Sequence, residues 1–309
     1  MRKQGCQFAF LIFTFTWILL QPLSMVHAQS LEPRSYTDTP IGLNFLIAGY
    51  GYTQGKVAFN PTLPIANAQF HSNTEVLAYV RSIDAWGSSA KFDVILPFSS
   101  FYGDALANGQ PMMRQMSGIG DPKFRFSINF YGAPALSLKE YVGYSQDLII
   151  GASMQISAPL GQYDNSKLIN LGYNRWSFKP ELGISKAIGS WTLEFMPGIT
   201  FYTVNSDFNY GQSLSQAPQY EAQAHIIYSF ASGVWLALNG NYFVGNRTTL
   251  NGILNNNLQS NTRAGITLAL PVDPHNSIKL YASAGTASLT GSNFNAVGIA
   301  WQYRWGEGF

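Results

Sequence analysis

The residues of this chain best able to do chemistry are polar side chains that alternate with apolar ones. Lys123 and Arg125, for example, alternate with Phe124 and Phe126. Residues two apart in an extended strand share a face. The alternation therefore predicts one polar face with these members: Lys123, Arg125, Arg175, Lys179, Glu181, Glu194, His225, Arg263, Lys279 and Arg304.

Two interpretations of this polar face remain open. The same parity adds Lys91, Asp93 and Glu221, so charges of both signs are present. In one interpretation they pair and fill a small interior, because buried charges require partners. In the other, the excess of cations forms a mildly basic constriction that selects anionic or polar-headed solutes.

Catalytic and metal sites have weaker support in the sequence. His71, His225 and His275 lie far apart and form no metal-binding motif. His225 could serve a lipid hydrolase of the Ser–His type, but the sequence designates no serine partner. We therefore expect no enzyme activity and no cofactor.

A second set of candidates lies between the alternating segments. Loops seldom need so many large apolar side chains. The large apolar side chains in these segments would either pack over an opening or capture an apolar solute. They are Phe101, Tyr102, Met112, Met113, Tyr163 and Phe208.

The N-terminus indicates export. Arg2 and Lys3 precede the uncharged run 8–20, and small residues follow up to Ala28. This pattern predicts a signal peptide over 1–28. A short periplasmic leader, 29–40, would follow and is too short to be a plug domain. Residues 41–309 would form a single β-domain.

Composition limits the class of protein. Charged residues make up 11 % and aromatic residues 15 % of the chain. Without Arg2 and Lys3, sixteen basic residues face sixteen acidic ones, so there is no basic field for nucleic acid. Removal of the signal would also remove Cys6, the single cysteine. The mature chain is then either a secreted β-domain or a membrane β-barrel.

Strand spacing favours the barrel. Alternation and turn residues predict about twelve strands. They are expected near 41–52, 74–86, 88–98, 121–131, 147–158, 174–187, 191–204, 219–231, 234–246, 261–271, 277–286 and 294–305. Long and short connections alternate, as in outer-membrane barrels with an even strand number and both termini in the periplasm.

Aromatic residues near strand ends also favour contact with lipid. Such residues form girdles at the two membrane interfaces. The candidates are Phe92, Phe98, Trp176, Trp191, Trp235, Phe243, Trp301, Tyr303 and Trp305. The last strand and the terminal Phe309 are similar to the signal by which the assembly machinery recognises outer-membrane proteins.

Several motifs carry a resemblance to a known family. They are "GIGDPKFRFSINFYGAPAL" (118–136), "SAPLGQYD" (157–164) and "NLGYNRWSFKPELGISKAIGSWTLEF" (170–195). The chain resembles outer-membrane transporters of the "meta-pathway of phenol degradation" family. The resemblance implies a channel for aromatic or other hydrophobic compounds, and it supplies no catalytic residues.

The resulting hypothesis is a monomeric all-β barrel in the bacterial outer membrane that passes small hydrophobic or aromatic solutes into the periplasm. Its partners would be membrane lipid, the solute and the assembly machinery. Two rival hypotheses remain: a structural or adhesive barrel whose loops bind a partner, and a barrel lipid hydrolase. A lumen plugged by Arg125, Glu181 and Arg175 locked together would favour the structural rival.

Overall fold

The fold was analysed in a computed structural model, which describes residues 31–58, 65–107, 109–288 and 291–308. Its strands are β1 (Leu43–Ala58), β2 (Ile65–Ala85), β3 (Ser88–Ala107), β4 (Gln110–Ile119), β5 (Lys123–Tyr131), β6 (Leu148–Ser157), β7 (Ser177–Ile188), β8 (Trp191–Tyr202), β9 (Asn205–Phe208), β10 (Gln212–Gln216), β11 (Gln219–Ser229), β12 (Trp235–Gly245), β13 (Thr248–Leu250), β14 (Ile253–Leu254), β15 (Gln259–Pro271), β16 (Asn276–Ser288) and β17 (Gly291–Gly306). The proposed signal peptide and Phe309 lie outside the described residues.

Twelve strands close into one antiparallel barrel. Their order around the wall is β1, β2, β3, β5, β6, β7, β8, β11, β12, β15, β16 and β17, and β17 pairs back to β1 from Leu43↔Gly306 to Ala58↔Gly291. Closure gives every strand of the wall two neighbours, so no backbone edge is left for lipid to cover. The prediction of a twelve-stranded antiparallel barrel is confirmed.

The barrel has two distinct ends. The short-turn end carries the tight turns at 86–87, 189–190, 230–234 and 272–275, together with the start of β1 and the end of β17. The long-loop end carries the connections 158–176, 203–218 and 246–258 and the hairpin of β3 with β4. The predicted sorting of connections by length is thus present in the fold, with one exception: the connection 132–147 is a long link at the short-turn end.

At the long-loop end several strands run beyond the predicted limits. The expected loops 53–73 and 99–120 are largely strand, because β1, β2 and β3 continue upward and β4 pairs with β3. A four-stranded sheet of β14, β13, β10 and β9 occupies the expected loops 205–218 and 247–260. Continued pairing satisfies backbone groups that a loop would have to satisfy with water or side chains.

The faces of the wall are inverted relative to a soluble protein. Along β8, Leu193 and Phe195 are 44 % and 49 % exposed, whereas Thr192 and Glu194, which alternate with them, are buried. Exposed apolar side chains continue on other strands: Leu77, Leu96, Leu182, Ile226, Leu238, Ile266, Val297 and Ile299. This continuous apolar exterior is that of a barrel immersed in lipid.

Helices contribute little. The described helix α1 (Leu138–Tyr141) is a single turn that begins with a capping box between Ser137 and Glu140. Within the described ranges, no helix is long and apolar enough to cross a membrane.

Two of the predicted girdle aromatics belong to the interior. Phe243 is buried on β12, and Trp235 lies on the same inward face next to Arg34. Parity along the strand decides this, because both side chains share the face of the buried Ala237.

Candidate functional site

The barrel lumen is the candidate site, and one part of its wall is apolar. The register brings Gly49 of β1 between Ala300 of β17 and Val76 of β2, and Val76 is paired with Pro97 of β3. We call the apolar residues on the inward faces of these strands the apolar wall; they are Phe45, Ile47, Val76, Ala78, Val80, Ile95, Pro97, Ala296 and Ala300.

The opposite part of the lumen is charged. On β5, Arg125 Nε donates to Asp93 Oδ2 of β3 at 2.6 Å. On β7, Lys179 Nζ lies 3.0 Å from Glu181 Oε2 and also pairs with Glu221 of β11. We call the inward face of β5, β6, β7, β8 and β11 the charged wall.

The leader crosses the lumen against this charged wall. Glu32 pairs with Arg125, and the Arg34 backbone N–H donates to Glu194 Oε2 at 2.7 Å. At the short-turn end, Lys91 Nζ donates to the Ser35 carbonyl at 2.7 Å. Residues 31–40 thus lie against the inward side of the barrel wall, where the sequence alone indicated only a short leader.

Tyr36 fixes the leader by shape as well as by hydrogen bonds. Its hydroxyl lies 3.1 Å from both Ser153 Oγ and Glu181 Oε1. Its ring lies flat against Gly151 and Gly183, where a Cβ at either position would collide with the ring. The absence of two side chains from the charged wall thus creates the slot that the tyrosine occupies.

The leader leaves the two walls unequally covered. On the charged wall, Glu181, Glu194 and Gln223 are 8 %, 4 % and 3 % exposed. On the apolar wall, Val76 and Ile95 are only half-buried although they point inward. Val76 and Ile95 of the apolar wall are therefore less covered than these three residues of the charged wall.

Tyr281 adds an aromatic surface to the lumen. It is 37 % exposed on the inward face of β16. Its ring lies over Gly51 and Gly298, and a Cβ built on Gly51 would come within 2.6 Å of the Tyr281 hydroxyl. An aromatic side chain is thus presented to the lumen beside the apolar wall.

The predicted polar-face residues do not form one cluster. Arg125, Lys179, Glu181 and Glu194 join the networks around the leader. The arrangement that would favour the structural rival, with Arg125, Glu181 and Arg175 locked together, is not seen: Arg125 pairs with Glu32 and Asp93, and Glu181 pairs with Lys179.

The other predicted cations lie at separate places in the barrel. Lys123 faces inward two residues from Arg125. Lys279 Nζ lies 5.9 Å from the ring centre of Trp235, while Arg304 Nε donates to the Pro274 carbonyl at the short-turn rim.

Arg263 lies on the inward face of β15, near the long-loop end of the barrel. Its guanidinium carbon lies 3.6 Å from the centre of the Phe294 ring. That ring is in edge contact with Phe70, which stacks on Phe101 at 5.9 Å. An aromatic cluster with one cation therefore lies at the long-loop end of the lumen.

Loop 158–176 carries Arg175 and is anchored by Asp121. The Gly120–Pro122 break between β4 and β5 places Asp121 so that its two carboxylate oxygens accept from the backbone N–H groups of Gly161 and Tyr173, each at 2.9 Å. On the other side of Arg175, the Trp176 N–H donates to Thr203 Oγ1 at 3.0 Å. Arg175 thus lies between two residues, Tyr173 and Trp176, whose backbone N–H groups are each fixed by a hydrogen bond.

The predicted capture residues are dispersed. Phe101 faces inward, whereas Tyr102 stacks on His71 and donates to Met113 Sδ at 3.3 Å on the outer face. Met112 is 48 % exposed on β4. Tyr163 donates to the Asp207 carbonyl at 3.0 Å, and Phe208 is buried in the small sheet.

His225 is buried on β11 and engaged by an amide. Its Nδ1 lies 2.8 Å from Asn239 Oδ1, and Asn239 Nδ2 donates to Thr267 Oγ1. In the part of the chain that the structure describes, no serine is hydrogen-bonded to this histidine. The described residues likewise include no group of three or more potential metal ligands.

Sequence reasoning missed the leader and Tyr281 as lumen residues of consequence. A signal was present for both. Gly151, Gly183, Gly51 and Gly298 interrupt the inward faces, and glycine within a strand often marks the close approach of another group.

Taken together, the closed wall, the apolar exterior and the polar-lined interior define a β-barrel of the transmembrane class. Residues 48–305 match the model of the family described as "Putative MetA-pathway of phenol degradation", so the chain belongs to that family. The resemblance noted in the sequence is thereby confirmed.

Solved structures show the same fold. An outer membrane channel from Pseudomonas putida F1 is 18 % identical, with a TM-score of 0.75, over 89 % of this chain and 100 % of that one. The β-domain of the Bordetella autotransporter BrkA is 8 % identical (TM-score 0.52, 85 % and 100 % covered). The transport unit of the Escherichia coli autotransporter AIDA-I is 10 % identical (TM-score 0.52, 94 % and 97 % covered). No curated protein matches the chain.

Proposed function

We propose that this protein is a non-enzymatic outer-membrane channel through which small hydrophobic or aromatic compounds diffuse into the periplasm. The short-turn end, with both termini, would face the periplasm, and the long-loop end would face outside. Family membership and similarity to a protein described as an outer membrane channel support this proposal.

The observation that carries the proposal is the unequal cover of the two walls. A lumen for water-soluble solutes would keep its charged groups open to the passage. Here the leader covers the charged wall, while half-buried Val76 and Ile95 and the exposed ring of Tyr281 border the remaining space. Apolar contact along one side favours a solute with apolar surface.

The test is uptake of a radiolabelled aromatic hydrocarbon by cells that lack this protein. Cells complemented with the wild-type chain should accumulate the compound faster than the deletion strain. Cells carrying Leu96→Ser, a change on the outer face next to Ile95, serve as the control for expression and should behave as wild type. Equal rates with and without the protein would contradict the proposal.

The alternative is a structural or adhesive barrel, which is favoured by the leader's ion pairs inside the lumen. Such a barrel would leave hydrocarbon uptake unchanged on deletion, while attachment or envelope integrity would change. The same pair of strains therefore separates the two functions.

A further inference from the structure

We propose that Arg175 at the long-loop mouth is a binding site for the carboxylate of an aromatic acid. This inference rests on the proposed channel function and names a solute class for its entrance.

The first observation is a buried cation without an ion pair. Arg175 is 7 % exposed, and none of the ion pairs within the described ranges includes it. Its guanidinium donates through Nη2 to the Gln216 side chain, but its buried Nη1 has no acceptor among the described protein atoms. A buried charged donor gains substantially from an anionic acceptor.

The nearest candidate counter-charge is already used. Both carboxylate oxygens of Asp121 accept backbone N–H groups, and no ion pair among the described residues joins Asp121 to Arg175. Burial raises the pKa of Tyr173 and of Tyr163, so both neighbouring phenols stay neutral at physiological pH. Among the described residues, Arg175 therefore has no carboxylate in direct ion-pair contact.

The second observation is the aromatic frame. The guanidinium carbon of Arg175 lies 4.7 Å from the centre of the Tyr202 ring and 5.9 Å from that of Tyr173. Arginine binds carboxylates in a planar, two-pronged manner, and tyrosine rings favour a second flat ring at their faces or edges. A planar aromatic acid offers both groups at once.

Neutral amides complete the polar surroundings. Gln216 Nε2 donates to Asn246 Oδ1 at 2.6 Å, and Asn246 in turn contacts Gln219 and Gln259. These side chains hold Gln216 against Arg175 without neutralising the guanidinium. The amides therefore leave the positive charge of Arg175 uncompensated.

The test is calorimetric titration of the detergent-solubilised mature protein with benzoate. Arg175→Gln should weaken benzoate binding by about tenfold or more, since a charge-assisted contact is lost. Arg175→Lys keeps the charge but loses the planar fork, so a smaller loss is expected. Lys56→Gln removes an equal charge from an exposed side chain on β1 at the same end, outside loop 158–176, and should leave binding unchanged.

Several results would overturn the proposal. They are undetectable benzoate binding to the wild type, unchanged affinity in Arg175→Gln, or equally tight binding of neutral benzyl alcohol. If Arg175→Gln does not fold, as judged by its heat-dependent gel mobility, unchanged affinity in Arg175→Lys has the same meaning. Because binding is measured without transport, loss of flux alone would count against the channel and not against this site.

Discussion

The apolar wall and the charged wall belong to the same barrel, but they differ in how far the leader covers their inward side chains. The charged wall uses its carboxylates, amides and glycine slot to hold the leader, and its polar groups are buried as a result. The apolar wall holds no such segment in the described structure, and most of its side chains are only half-buried. One part of the wall is therefore covered by the leader, and the other part is less covered.

The largest effect should come from breaking the charged wall's ion pairs. Arg125→Met would leave the buried Asp93 carboxylate and Glu32 without their cation. We expect a loss of about 2–3 kcal/mol in the free energy of unfolding, less than for a fully buried pair because Arg125 is partly exposed. Urea unfolding in lipid vesicles measures it.

An exposed ion pair of the same chain provides the control. Lys186 and Asp147 pair near the short-turn end with side chains 44 % and 79 % exposed. Lys186→Met should change stability by less than about 1 kcal/mol. Similar losses in both variants would show that the charged wall has no special role.

Glycines allow the two walls to be compared with one matched substitution. Gly183→Ala on the charged wall would push a methyl group into the Tyr36 ring, whereas the nearest atom to a Cβ on Gly49 of the apolar wall is 3.7 Å away. We expect Gly183→Ala to displace the leader at a cost of about 1–2 kcal/mol and to raise single-channel conductance. Gly49→Ala should change neither quantity, and a conductance increase in both variants would count against the leader slot.

The smallest effect should follow a change on the apolar wall that leaves the fold intact. Ile95→Ser removes apolar surface from the passage, while Leu96→Ser alters only the lipid-facing side. We expect hydrocarbon uptake to fall by about three- to tenfold in Ile95→Ser, since contact with one aliphatic side chain contributes about 1 kcal/mol. Unchanged uptake would show that the solute does not touch this wall.

Much of this architecture could be predicted from sequence because it follows from a two-residue period. Alternation assigned Lys123, Arg125 and Lys179 to the inward face, and the register agrees. The separate assignment of strand-end aromatics to the girdles failed for Trp235 and Phe243, since an aromatic at a strand end can belong to a girdle or to the lumen.

Contacts across the lumen could not be predicted in this way. No period links Glu32 to Arg125 or Tyr36 to Gly183, which are 93 and 147 residues apart in sequence and meet only after the barrel closes. The isolation of Arg175 from Arg125 and Glu181 depends equally on the long-range fold of loop 158–176. Charge alternation alone suggested that these three residues would be joined.

Thiol accessibility in the lumen tests most directly whether the open passage follows the apolar wall. With Cys6 in the predicted signal peptide, a thiol introduced by Val76→Cys or Gln223→Cys would be the sole thiol of the mature chain. Val76 is half-buried on the apolar wall, and Gln223 is 3 % exposed beside the leader, with its Oε1 accepting from the Glu32 N–H. A small water-soluble thiol reagent should modify Val76→Cys readily and Gln223→Cys slowly; equal rates, or faster reaction at residue 223, would contradict the account.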